Sequence, residues 1–114
     1  MDWGKVTYIF FTLMSLTTTA GFLYEENVIA LFIAACVNVI STILKIGVKN
    51  LLAAELLASS LVADLHLIPA FMVFVFSGNL KLAVALAIGA VVANIFSIAL
   101  VLIESAKNND KDEF

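Results

Sequence analysis

The length and spacing of its apolar runs constrain this chain more than any other feature. Four such runs, Val6 to Leu23, Val28 to about Ile46, Leu51 to Phe76 and about Leu82 to Ile103, are separated by polar breaks of only a few residues. A helix that crosses the hydrocarbon core of a bilayer needs ~20 predominantly apolar residues, and each run is of that order. None of the runs alternates with period two, and an open strand in lipid would leave its backbone groups unpaired. The expected fold class is therefore an all-α membrane protein with four hydrophobic helical segments. Short breaks force successive helices to be antiparallel. Composition agrees, with 63% hydrophobic and 13% charged residues and a mean hydropathy of +1.12. Soluble domains are ~45–50% apolar and ~25% charged. Disorder, a fibrous repeat and a soluble enzyme fold are excluded, because so much apolar surface would have to face water.

Residues 1–104 form the expected transmembrane domain, and residues 105–114 a charged tail whose composition suits a solvated, disordered segment. Met1–Lys5 lacks the positive start of a secretory signal, and no small-residue cleavage site follows, so it is expected to belong to the mature protein. Lys45 and Lys49 lie in the second break, Lys107 and Lys111 in the tail and Lys5 at the start. Only Lys81 falls on the other side, whereas the first break carries Glu25 and Glu26. The positive-inside rule then makes the second break and both termini cytoplasmic, and the expected location is a bacterial cytoplasmic (inner) membrane. The same charges also fit a re-entrant first segment followed by three spans, with the N-terminus outside. The net charge is -3 and there is no basic stripe, so nucleic acid is not an expected partner. Cys36 is alone, which excludes an intrachain disulfide framework, and it reads as a small buried hydrophobe.

Polar groups at membrane depth are costly, so their positions are informative. Tyr8, Thr12, Ser15 and Thr19 form one stripe at helical spacing, and Asn38, Ser41, Thr42 and Lys45 repeat the pattern in the second segment. Two readings stand side by side for these stripes: hydrogen bonding between helices, or the lining of a wet pathway. In the third segment Glu55, Ser59, Val62 and His66 share one face, and Ser60 and Asp64 share nearly the opposite one. Asp64 lies near the centre of its segment, where an uncompensated carboxylate costs ~2.5–3.5 kcal/mol on insertion scales. It must be protonated, paired or facing water. Glu55 is close enough to the segment's end to reach water or Lys49, and Pro69 frees the carbonyl of Leu65, which predicts a kink. Ala85, Gly89, Ala93 and Ser97 place a small residue at every fourth position, with Asn94 beside them, and predict a close packing face within the chain or between subunits.

The stretch Ser15-Leu16-Thr17-Thr18-Thr19-Ala20-Gly21-Phe22-Leu23-Tyr24 resembles the end of the pore helix and the selectivity filter of potassium channels and Trk/Ktr-type potassium transporters. Leu23 stands where a channel has its second glycine, which favours the transporter type. The resemblance covers about ten residues. It implies that Thr17, Thr18, Thr19, Ala20, Gly21 and Phe22 present oxygens to a potassium ion, with Gly21 at positive φ. Glu25 and Glu26 would concentrate cations at the outer mouth, and Asn38, Ser41 and Thr42 would line the inner side. A single such loop per chain implies a homo-oligomer, a tetramer for a filter of this type, embedded in lipid and open to a cytoplasmic regulatory subunit.

Three functions follow as expectations. The first is an oligomeric cation pathway, a potassium channel or transporter subunit. The second is a proton- or cation-coupled carrier working through Glu55, Asp64 and His66. The third is a helical assembly subunit of a larger membrane complex without transport of its own. No nucleophile–base pair, phosphate loop or metal-ligand set is evident, so the chain is not expected to be an enzyme and needs no cofactor beyond a monovalent cation such as K+.

Overall fold

The computed structural model describes residues 3–46 and 53–112, with side chains as far as Ala106. It contains four helices: α1 (Trp3–Glu25), α2 (Val28–Lys45), α3 (Ala53–Ser77) and α4 (Leu80–Asp112). Each is long and apolar enough to cross a membrane. The all-α expectation is met. Residues 47–52, with Lys49 of the second break, and Glu113 lie outside the described residues, as do the side chains of Lys107, Asp110, Lys111 and Asp112.

Among the described residues the helices pack as a ring, α1 on α2, α2 on α3, α3 on α4 and α4 on α1, and the backbones of the diagonal pairs stay apart. The result is an up-down four-helix bundle measuring 52 × 21 × 18 Å. Both visible turns lie at one end, and they are built alike. Glu26 (φ 56°) and Gly78 (φ 67°) take the left-handed conformation that ends α1 and α3. Their amides donate to Phe22 O at 2.6 Å and Phe74 O at 3.1 Å. The next residue is an asparagine in each case. Asn27 Oδ1 accepts from Ile29 N (2.8 Å), and Asn79 Oδ1 accepts from Leu82 N (3.1 Å), so each amide caps an orphan N–H of the following helix.

The inward face of each helix can be read as a heptad-like series. In α1 it is Tyr8, Thr12, Ser15, Thr19 and Phe22, and in α2 it is Leu31, Ala34, Asn38, Ser41, Thr42 and Lys45. In α3 it is Leu56, Ser59, Ser60, Ala63, Asp64, Leu67 and Ala70. Near the turns the interior is apolar, with Phe22, Leu31, Leu67, Ala70, Ala83 and Ala87 packed together and the Phe22 and Phe74 rings 6.1 Å apart. The outer surface is also apolar, with Phe10, Ile43, Leu65, Phe76 and Val92 exposed. A polar middle inside an apolar shell suits lipid as the surrounding solvent. The chain is a small membrane protein.

Several expectations need correction. The first segment is one unbroken helix from Trp3 to Glu25 rather than a pore helix followed by a loop. The charged stretch after Glu104 extends α4 as far as Asp112, because no Pro or Gly interrupts it. Cys36 is exposed, because the inward series of α2 passes through Ala34 and Asn38 and leaves residue 36 on the opposite side. Ala85 is also exposed, whereas Ala93 and Ser97 are buried. The small-residue series therefore flanks α3 inside the chain.

Candidate functional site

One layer of side chains joins all four helices: Ser15 from α1, Asn38 from α2, Asp64 from α3 and Asn94 from α4. Asn94 Nδ2 donates to Ser15 Oγ (3.2 Å), and Ser15 Oγ donates to Asn38 Oδ1. Asn38 Nδ2 then donates to Asp64 Oδ1 and lies 3.4 Å from Ser60 O. The other carboxylate oxygen, Oδ2, accepts from Thr42 Oγ1 at 2.6 Å. All of these side chains are buried. An intramembrane carboxylate is tolerated where its oxygens meet donors, and here both do.

Polar pairs continue from this layer toward the end that holds the termini. Thr12 and Ser41 share a hydrogen bond of 3.1 Å, and Ser59 and Ser97 one of 2.5 Å. Lys45, only 2% exposed, donates from Nζ to Ser60 Oγ at 2.5 Å, one turn from Asp64. Lys5 Nζ lies 3.4 Å from buried Glu104 Oε1. The buried anions Asp64 and Glu104 thus each have a cation nearby, buried Lys45 for the first and partly exposed Lys5 for the second. That balance matters because a lone buried charge is far more costly than a compensated one.

The two polar stripes seen in the sequence both face this interior, and Asn38, Ser41 and Thr42 are buried in it. The ionisable trio does not come together. Asp64 points into the bundle, whereas Glu55 and His66 line a groove on its outside between α3 and α4. Two participants were not evident in the sequence. Glu104, the last residue of the expected transmembrane domain, continues the inward series Ser97, Val101, Glu104. Lys5 precedes buried Tyr8 by one turn and joins it on the same face.

The filter-like residues are helical. Thr17 and Thr18 bond through their hydroxyls to Met14 O (3.1 and 2.7 Å), and Thr19 bonds to Ser15 O (2.7 Å). Gly21 is exposed, has open space around it and does not adopt positive φ. A filter needs free carbonyls turned toward an ion, and in this helix the hydrogen-bond ladder holds them. Ala20, Glu25 and Glu26 are exposed at the same end, and of Thr17 to Phe22 only Thr19 and Phe22 are buried.

A protein-family comparison matches residues 25–105, covering α2, α3 and all but the polar end of α4. The chain belongs to DUF6394, a family of unknown function. The matched region holds Asn38, Thr42, Lys45, Ser60, Asp64 and Asn94, and leaves α1 with its filter-like stretch outside. No curated protein and no solved structure matches the chain. For this DUF6394 chain the polar interior, and no characterised relative, must carry the functional reading.

Proposed function

We propose that this protein is a proton-coupled membrane carrier in which Asp64 is the proton-binding group. One observation supports this most directly: the Thr42 hydroxyl stands between two acceptors, Asp64 Oδ2 at 2.6 Å and Asn38 O at 3.0 Å. A hydroxyl has one hydrogen to give. With Asp64 ionised, Thr42 donates to the carboxylate. With Asp64 protonated, the carboxyl donates to Thr42 Oγ1, which turns its own hydrogen to Asn38 O. The same heavy atoms serve both charge states, so a proton can be taken up or released without repacking the layer.

The asymmetry of the interior adds direction. Polar pairs lead from Asp64 toward the termini, while Phe22, Leu31, Leu67 and their alanine neighbours close the interior toward the turns. Beyond those pairs Tyr8, Leu56, Leu100 and Val101 close the other end, so the site is occluded at both ends, and alternating access would open the polar side by helix movement. The polar lining faces its own bundle, so the proposed path runs within one chain rather than between subunits. Lys45 supplies the compensating charge next to it.

The test is proton uptake into proteoliposomes containing a pH-sensitive dye, driven by an imposed potential. Uptake is expected with the unaltered chain and lost in Asp64→Asn, with Gly21→Ala behaving as the parent. Equal uptake by the parent and Asp64→Asn proteins, or none by the parent under either polarity of gradient, would remove the reading.

A further inference from the structure

A groove of about 630 Å³ runs along the outside of the bundle between α3 and α4, and its walls include Glu55, Val62, His66, Gly89, Val92 and Phe96. Its polar atom of interest is Nε2 of His66. Nδ1 of the same ring is 2.8 Å from Val62 O. A carbonyl only accepts, so Nδ1 carries the hydrogen, and the neutral ring is left with a lone pair on Nε2. The Cδ2–Nε2 edge of the ring lies against Gly89, where a Cβ would come within 2.7 Å of Nε2. Glycine at 89 is therefore what lets the imidazole pack this close to α4. Nε2 has no hydrogen-bond partner among the described residues.

His66 is next to the midpoint of α3 (Ala53–Ser77), far from either membrane surface. Water and phospholipid headgroups do not reach that depth, and an unpaired acceptor there is costly. A matching occupant is mainly apolar and carries an O–H donor. Phe96, two turns from Gly89 on the same face, adds an aromatic wall suited to a ring. From His66 to Glu55 the groove extends eleven residues along α3, about 16 Å at the helical rise, which leaves room for an alkyl tail. We propose that this groove binds a lipophilic hydroquinone, one hydroxyl of which donates to Nε2 of His66.

His66 is the only histidine in the chain, so ¹⁵N-imidazole labelling reports this site alone. The full chain in phosphatidylcholine nanodiscs is titrated with decylhydroquinone and with its dimethyl ether, which has the same body but no donor. The hydroquinone should give a saturable shift of the Nε2 resonance, and the ether should bind roughly tenfold more weakly, the usual loss for one hydrogen bond. Val92→Phe, a change at an exposed wall position, should leave the ligand-free imidazole signal in place and weaken hydroquinone binding. Asp64→Asn should leave binding unaltered, which separates this site from the proton site. Equal affinities for hydroquinone and ether overturn the proposal. So does a shift that never saturates, or one that follows the protein-to-lipid ratio instead of the ligand, as a second copy in the groove would produce.

Discussion

Asn38 is the side chain on which the polar layer turns, because it accepts from Ser15 and donates to Asp64. Asn38→Ala leaves a carboxylate oxygen and a serine hydroxyl without their partners in a buried setting. The expected cost is about 1–3 kcal/mol, read as a shift in an unfolding equilibrium in mixed micelles. Gly21→Ala should act in the opposite sense. Residue 21 is helical with open space around it, so a methyl group meets nothing and the helix gains up to about 1 kcal/mol. Loss of stability in Gly21→Ala would indicate that α1 departs from helix at this point. The two substitutions thus separate a residue held by its neighbours from one held only by its own backbone.

The two turns form a natural pair of experiments on single elements. Both use a left-handed residue followed by a capping asparagine, but only the second has glycine at the left-handed position. Glu26 therefore carries a steric cost that Gly78 does not. Glu26→Gly should raise stability by about 1 kcal/mol, and Gly78→Ala should lower it by a similar amount. Thermal unfolding in detergent, followed by circular dichroism, measures both. Equal and small effects of the two would mean that the turns do not limit stability. The helices themselves are held along their inward faces. Their hydrogen bonds stabilise less than their number suggests, since interhelical bonds in membranes average only about 0.6 kcal/mol each.

For the molecule as a whole, the ring of four antiparallel helices puts the Glu26 and Gly78 turns at one end and both termini at the other. Single cysteines at Asn27 and at Asn79, each in a Cys36→Ser background, should react with a membrane-impermeant maleimide from the same side. A cysteine at Trp3 should be protected from that side. With Lys5 and Lys45 at the opposite end, the reactive side is expected to be the external one. Labelling of Asn27 and Asn79 from opposite sides would break the four-span arrangement. Charge pairing makes a second statement at this scale. Lys45 and Asp64 balance each other inside the bundle, as do Lys5 and Glu104. Lys45→Ala should therefore destabilise more than the double change Lys45→Ala with Asp64→Asn, a non-additivity that the same unfolding assay detects.

Hydropathy alone determined that this chain forms four membrane-length helices, because lipid forces every backbone group into an internal hydrogen bond. Helical periodicity also placed Thr12, Ser15, Asn38, Thr42 and Lys45 on shared faces and set Asp64 apart from His66. Periodicity cannot say which faces meet. Only the packed bundle joined Ser15, Asn38, Asp64 and Asn94 in one layer, turned Glu104 inward to Lys5, and laid His66 on Gly89. Those contacts reach across the chain, from Ser15 to Asn94 and from Lys5 to Glu104, and a threonine-rich stretch that resembles a filter is, in that context, simply helix. Local sequence carries propensity and facing, whereas a partner across the bundle is fixed by how neighbouring helices rotate against one another.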